Sequence, residues 1–483
     1  MIDLLGILLP LGLLMFFAFR GITLLLLAPV MAVLAVLLSG GLSPLAAFTQ
    51  VFMINTADFI LAFFPLFFLG AIFGKLMDDS GAAEAIARWV IGKLGTANAI
   101  LAVVICCAVL TYGGVSLFVV AFAIFPIAAA LFRDAGVPKR FIPGAIALGA
   151  FTFTMSALPG TPAIQNAIPM PYFGTTAFAA PGLGIIAALI MFGLGMVWLN
   201  RRATSAMATG EGYGQHDDAM PEPDTVMRAQ AQNEGFDVIE IEPSEQVRTL
   251  PSFWLAITPI VIVVAVNFLF VEFVVPRLET AYLAEPLFGS TSIEAVRGVW
   301  AIVVALTASI LFLIFSNYRR FPDIRETLNK GADAAVLPIF NTASLVGFGG
   351  VIAALPAFTQ VTDGLLAVSD GNPLVSVALS VTTLSALTGS ASGGMSIALD
   401  ALGSTFVALA NSTGTSLEAM HRVTSVASGA LDALPHNGAV ITVLGIAQLT
   451  HKDSYFDIFV TAVLVPFIAL VAIIILASLF GGF

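Results

Sequence analysis

Seven stretches of this chain, at about 2–18, 21–38, 58–77, 181–199, 252–275, 296–316 and 455–479, are long and apolar with few charged side chains. A helix needs about 20 such residues to cross the roughly 30 Å hydrocarbon core of a bilayer, so each run reads as a membrane-spanning helix. Composition agrees: 59% of residues are hydrophobic and only 10% charged, against roughly a quarter charged in soluble chains. No water-soluble fold has enough polar surface to cover that much apolar side chain. A cytosolic enzyme, a nucleic-acid binder and a disulfide-built secreted domain are therefore excluded.

Four further stretches are apolar but interrupted. Residues 97–132 break at Thr111-Tyr112-Gly113-Gly114, 141–175 between Ser156 and Pro162, 372–410 between Thr388 and Gly394, and 421–447 between Asp432 and Gly438. A weaker point, Asn341 to Gly350, lies inside the run 331–358. Lys and Arg gather on the cytoplasmic side of membrane proteins, and this bias selects a threading. Let 97–132 and 372–410 be re-entrant hairpins, and let 141–175 and 421–447 be broken helices that cross. Then Arg20, Lys75, Arg88, Lys93, Arg133, Lys139, Arg140, Arg201, Arg202, Arg319, Arg320, Arg325, Lys330 and Lys452 all face the cytoplasm. Arg277, Arg297 and Arg422 fall outside, and both termini are periplasmic. Reading either hairpin as two crossings scrambles the bias. Trp198, Trp254 and Trp300 fall at or near helix ends, where interfacial tryptophans belong. Met1-Ile2-Asp3-Leu4 lacks the basic region of a signal peptide, so the first run is expected to remain as a helix.

The two halves repeat one another. Ala157-Leu158-Pro159 recurs as Ala433-Leu434-Pro435, and Thr111 recurs as Thr388 at nearly the same offset. Each half reads as three helices, a hairpin, a broken helix and a helix, the first running outside to inside and the second the reverse. The expected fold is thus an all-α polytopic membrane protein with an inverted-topology repeat. Residues 1–200 form the first repeat, 201–250 a cytoplasmic linker and 251–483 the second. Matching Gly/Pro interruptions in such halves are the sequence mark of a transporter's binding site.

The net charge of -11 belongs mainly to the linker, where between Ala203 and Leu250 ten acidic residues stand against Arg228 and Arg248. It carries Gly210, Gly212, Gly214, Pro221 and Pro223 and reads as a solvated tether. Cys106 and Cys107 are adjacent and make neither an ordinary disulfide nor a metal site, so they read as packing residues. Asp78 and Asp79 precede an amphipathic stretch, Gly81 to Gly95, and read as a charge complement at its N-terminus.

Broken helices in lipid are tolerated where they line a cavity. Half-helix N-termini suit a carboxylate, and unwound carbonyls suit a coupling cation. The side chains at the breaks are hydroxyls and amides without Lys or Arg: Thr111, Ser116, Thr152, Thr154, Ser156, Thr161, Gln165 and Asn166 in the first half. In the second they are Asn341, Thr342, Ser344, Thr388, Ser390, Ser392, Asp432, His436 and Asn437. Taken singly, a Ser or Thr here is more often packing glue; the clustering favours function. Ionisable residues inside a membrane mark a pathway. Asp432 can carry a coupling proton or, if ionised, help hold Na⁺, and His436 can donate to a carboxylate or relay a proton. Alternatively the two brace the break together. Asp400, nearer the end of its hairpin arm, reads as a boundary charge.

The stretch Leu69-Gly70-Ala71-Ile72-Phe73-Gly74-Lys75-Leu76-Met77-Asp78-Asp79-Ser80-Gly81-Ala82-Ala83 resembles "LGxxxGKLLxDSGGA" of the gluconate:proton symporter (GntP) family, within the ion-transporter superfamily. Leu158-Pro159-Gly160-Thr161-Pro162 and Leu434-Pro435-His436-Asn437-Gly438 resemble its hydroxybutyrate-permease-type branch. Gluconate-carrying members place a Glu after an aromatic residue in the first hairpin, where this chain reads Tyr112-Gly113-Gly114-Val115. The resemblance implies import of a small hydroxy- or sugar-acid anion with H⁺ or Na⁺, no other cofactor, and a bacterial inner-membrane homodimer working as an elevator.

The expected function is a secondary active symporter for a small organic monocarboxylate, with lipid as its solvent. Substrate-binding candidates are Thr111, Tyr112, Gly113, Gly114, Ser116, Thr161, Asn166, Ser390, Ser392, Gly393, His436 and Asn437; ion-coupling candidates are Asp432 and His436. A di- or tricarboxylate transporter of the same superfamily is the alternative. An anion channel lacks an evident continuous pore. An intramembrane serine hydrolase lacks a nucleophile elbow, since Gly389-Ser390-Ala391-Ser392-Gly393 has Ala at the nucleophile position.

Overall fold

The computed structural model describes residues 2–18, 20, 22–216, 218, 228, 231–232, 237, 249–360, 364, 369 and 371–483. Among the described residues every regular element is helical, as lipid requires of a chain that must satisfy its own backbone. Among the described residues, eight helices are long and apolar enough to cross a membrane. The protein is an all-α, multi-pass membrane protein.

The first half contains α1 (Ile2–Ala18), α2 (Leu24–Ser39), α3 (Pro44–Asp79) and the amphipathic α4 (Ala82–Leu94). A helical hairpin follows, made of α5 (Ala99–Tyr112) and α6 (Leu117–Ala135). Then come α7 (Ile142–Ala150), an irregular stretch, the short α8 (Ile164–Ala167) and α9 (Pro169–Phe173), and α10 (Pro181–Ala208). The second half follows a similar order, without a counterpart of α4 among the described residues: α11 (Phe253–Arg277), α12 (Ile293–Asn317), α13 (Ile324–Ala353) and a hairpin of α14 (Pro373–Thr388) and α15 (Ala391–Thr413). It closes with α16 (Leu417–Ser428), a gap, α17 (Gly438–Ile446) and α18 (His451–Phe480). The first hairpin arm, 14 residues, is only about 21 Å long at 1.5 Å per residue. That is too short for the hydrocarbon core.

Several boundaries differ from the sequence reading. α3 starts at Pro44 rather than near 58, because its first turns are less apolar but still helical. α13 runs unbroken through Asn341 to Gly350. That stretch is small-residue packing surface, not a break: Gly331 lies against Ile72, while Gly347 and Gly350 lie against Thr56 and Asn55 of α3. Small residues let two backbones approach closely in a membrane, and α3 with α13 form the most extensive helix pair of the fold. Asn341 caps α2, its Oδ1 accepting from Leu25 N at 3.1 Å and Thr23 Oγ1 at 3.0 Å. The first break opens earlier than Ser156, at Phe151, with one helical turn at Phe153–Ser156. In the second hairpin only Gly389 and Ser390 turn; Ser392, Gly393 and Gly394 are helical.

Asp79 is not a helix-terminus complement. Its carboxylate pairs with Lys75 at 2.9 Å and accepts from Thr327 Oγ1 of α13 at 2.6 Å, all buried. Cys106 and Cys107 are buried free thiols, as their packing role requires.

The halves interlock. α6 packs on α17, and α15 packs on α8 and α9, so the second arm of each hairpin lies against the broken helix of the other half. α10 packs on α18. At one end of this pair Asp457 accepts from Trp198 Nε1 at 3.0 Å and Arg202 Nε at 3.3 Å, with Arg140 at 3.6 Å.

Candidate functional site

The first hairpin turns through Gly113 to Ser116. Gly114 takes φ +93°, open to glycine, and a Cβ there would meet Pro162 at 2.7 Å. The tip is thereby seated on the irregular stretch of its own half. Tyr112 Oη adds a hydrogen bond to the Pro159 carbonyl at 2.8 Å. Ser116 caps α6 by accepting from Val119 N at 3.3 Å. Gly113 is buried against α11, where a Cβ would meet Ile260 at 2.5 Å.

Between this tip, the irregular stretch and the central helices is a small cavity of about 50 Å³, below the roughly 300–1,000 Å³ of open small-molecule sites, so the tip must move to admit an organic acid. Thr111, Gly114, Val115, Ser116 and Leu117 supply the hairpin wall; Met155 and Pro162 to Gln165 supply another. Leu66, Phe67, Gly70 and Ala71 of α3, Leu306 of α12, and Ala334 and Ala335 of α13 close it. Two buried polar atoms in this lining have no partner: Thr111 Oγ1 and Gln165 Oε1, on residues each 3% exposed. Unsatisfied buried polar atoms are uncommon because each costs about 1–3 kcal/mol. Two on facing walls, beside the first N–H groups of α6, make a polar focus in an apolar pocket.

Thr161 and Asn166 support this wall rather than line it. Thr161 Oγ1 accepts from Ala163 N at 3.3 Å. Asn166 Nδ2 donates to the Thr161 carbonyl at 2.9 Å and the Ala177 carbonyl at 3.0 Å. Its Oδ1 accepts from Arg422 at 3.0 Å and lies 3.2 Å from His421 Nε2. With both amide hydrogens and both lone-pair directions used, Asn166 is a fixed strut.

The second-half candidates gather elsewhere, at the tip of the other hairpin. Ser390 caps α15 by accepting from Gly393 N at 3.2 Å and lies 3.5 Å from Ser392 Oγ. Asn437 Nδ2 donates to the Gly389 carbonyl at 2.9 Å, and its Oδ1 caps α17 at Val440 N, 2.9 Å away. His436 Nε2 is 3.1 Å from the Ala386 carbonyl. These contacts latch the tip to the irregular stretch 429–437, as Tyr112 and Gly114 do in the first half. Asp432 is half-buried with Oδ1 unpartnered, and no hydrogen bond joins it to His436. The structure therefore separates the sequence candidates into a cavity set and a latch set.

Sequence reasoning missed Arg422. The charge-bias threading puts it outside, yet it is helical and fully buried in α16. It donates to the carbonyls of Ala179 at 2.8 and 3.1 Å, Ser156 at 3.3 Å and Ala177 at 3.4 Å, besides Asn166. Its neighbour His421 has Nδ1 2.6 Å from Thr175 Oγ1. The available signal was position, since both residues open the interrupted stretch 421–447.

No protein-family profile matches the chain. It is 43% identical over 486 residues to a Bacillus subtilis (strain 168) protein named uncharacterized transporter YxjC, covering 99% of each chain. Its fold is similar to the crystal structure of the Alcanivorax borkumensis YdaH transporter, described as having an unusual topology. The TM-score is 0.55 at 14% identity, over 90% of this chain and 88% of that one. The chain belongs to the family of multi-pass membrane transporters that includes Bacillus subtilis YxjC.

Proposed function

We propose that the protein is a secondary active transporter importing a small organic monocarboxylate, a 3-hydroxybutyrate-like hydroxy acid or a gluconate-like sugar acid, with H⁺ or Na⁺. The observation that carries this reading is the cavity at the first hairpin tip, where Thr111 Oγ1 and Gln165 Oε1 are buried without partners. Hydroxyl, amide (whose O and N exchange by a flip) and the N-terminus of α6 together suit one carboxylate and a hydroxyl. The lining holds no Lys or Arg, which favours one carboxylate over two or three.

The similar order of elements, the short first arm of each hairpin and the equivalent tip latches support an inverted-topology repeat with re-entrant hairpins. In an elevator, hairpins and broken helices move together against a scaffold built on α3 and α13. Asp432 and His436, at the second break, are the ion-coupling residues of this reading, and the assembly is an inner-membrane homodimer of the GntP type.

Uptake of labelled D-3-hydroxybutyrate and gluconate into proteoliposomes, under separately imposed Na⁺ and pH gradients, tests it. Saturable uptake driven by one gradient is the expected result. Absence of uptake of both acids under both gradients overturns the substrate class.

A further inference from the structure

We infer that Arg422, buried behind the cavity wall, sets the preference for a negatively charged substrate through its uncompensated charge rather than by contact. This rests on the reading of the hairpin cavity as the substrate site.

The guanidinium is wholly buried, and every acceptor it uses is neutral: the carbonyls of Ser156, Ala177 and Ala179 and the amide of Asn166. Among the described residues no carboxylate is ion-paired with it. Glu418, one turn earlier on α16, is exposed and accepts from Ala180 N at 3.4 Å instead. His421 lies between a hydroxyl and an amide oxygen, partners that a neutral imidazole satisfies. A positive charge thus remains in a low-dielectric interior, where fields reach further than in water. A buried charge without a counter-ion is costly, and an anion arriving nearby relieves that cost.

The geometry directs the field at the cavity. Ser156 and Asn166, which hold one edge of the guanidinium, directly follow Met155 and Gln165, which line the cavity. Position and charge have separable signatures. A purely structural clamp needs the planar fork of Arg, which Lys does not reproduce. A field needs only the charge, which Lys keeps.

The test is ligand-induced thermal stabilisation of the purified full-length protein by acetate, lactate, D-3-hydroxybutyrate and gluconate, against their uncharged amides. Wild type is compared with Arg422→Lys, Arg422→Gln and Asn166→Asp. The last places a carboxylate on the guanidinium; its lost donations to the Thr161 and Ala177 carbonyls lower the ligand-free melting temperature, which is read separately from the ligand-induced shift, so the question stays answerable should Arg422→Gln not fold. The expected result is stabilisation of the wild type by an acid but not its amide. Affinity falls roughly tenfold or more in Arg422→Gln and Asn166→Asp and stays within about threefold in Arg422→Lys. Equal affinity in all four proteins overturns the inference and leaves the cavity reading standing. An equal loss in Arg422→Lys and Arg422→Gln reduces Arg422 to a clamp and also overturns it. A wild type stabilised by none of these acids overturns the substrate reading, and this inference with it.

Discussion

Tyr112 and Pro159 are 47 positions apart in the chain, and the Tyr112 hydroxyl donates to the Pro159 carbonyl at 2.8 Å. The bond ties a hairpin tip to a stretch of backbone that has left the helix and lost its internal partners. Tyr112→Phe removes one hydrogen bond, a net change of about 1 kcal/mol. The substituted protein is expected to fold normally and to show half-saturation for substrate raised roughly fivefold. Uptake titrations in proteoliposomes check this, and unchanged half-saturation contradicts it.

Thr111 and Gln165 make an unusual prediction about sign. Removing a buried hydrogen-bonded group destabilises, but Thr111 Oγ1 and Gln165 Oε1 have no protein partner. Thr111→Val and Gln165→Leu therefore relieve a desolvation cost of about 1–3 kcal/mol each. Melting temperature is expected to hold or rise while substrate affinity falls at least fivefold. A fall in both means that these atoms serve packing, not substrate.

His436 and Asn437 serve the other tip. Asn437→Ala loses the cap of α17 and the bond to Gly389, about 1–2 kcal/mol. His436→Ala loses the contact with Ala386. Both variants are expected to reach the membrane and to lose most uptake, because the second hairpin no longer closes. Near-normal uptake by both, at matched expression, removes this tip from the transport cycle.

What the sequence revealed, and what it hid, follows from the range of the interactions. Helix existence was legible because 20 apolar residues have few fates in water or lipid, and α12 ends within a residue of its apolar run. The breaks were legible because Pro159, Gly160 and Pro162 fall within four residues and each weakens a helix, whereas the isolated Pro65 and Pro338 are tolerated inside α3 and α13. The cavity's polar focus was not. Gln165 and Asn166 are adjacent amides of equal promise in sequence; only folding shows that Asn166 is consumed by Arg422 and Ala177 while Gln165 is left open. Arg422 was hidden for the same reason. Its acceptors lie between 243 and 266 residues away in the chain.

Lys75 and Asp79 form a buried pair one helical turn apart, 0% and 2% exposed at their side chains. Asp79→Asn removes the carboxylate from beside a buried ammonium and is expected to cost about 3–5 kcal/mol. The double substitution Lys75→Met with Asp79→Leu removes both charges and is expected to recover most of that loss. It leaves Thr327 without its acceptor, so recovery stays incomplete by about 1 kcal/mol. Thermal denaturation of Lys75→Met, Asp79→Leu and the double variant in detergent gives the cycle. Additive losses contradict the pairing.

The acidic linker is docked in its described part, not free. Asp218 takes Lys139 at 2.9 Å, Tyr213 Oη at 2.8 Å and Arg133, while Glu211 takes Arg140 at 2.6 and 3.0 Å. Lys139 is 1% exposed and Glu211 41% exposed at their side chains, so the two pairs differ in kind. Exposed pairs contribute about 0–1 kcal/mol and are screened by salt; pairs that hold a buried charge contribute more. Asp218→Asn is expected to speed proteolysis within the linker roughly tenfold and Glu211→Gln less than threefold. The pH dependence has a definite sign. Hydrogen bonding from Arg140 holds the Glu211 carboxyl below its ordinary value, so its share of docking is full above the ordinary range and is lost as pH falls through the lowered value. Proteolysis by an acid-active protease should therefore accelerate below about pH 4 in the wild type and be flatter in Glu211→Gln. Parallel pH profiles remove Glu211 from the docking contact.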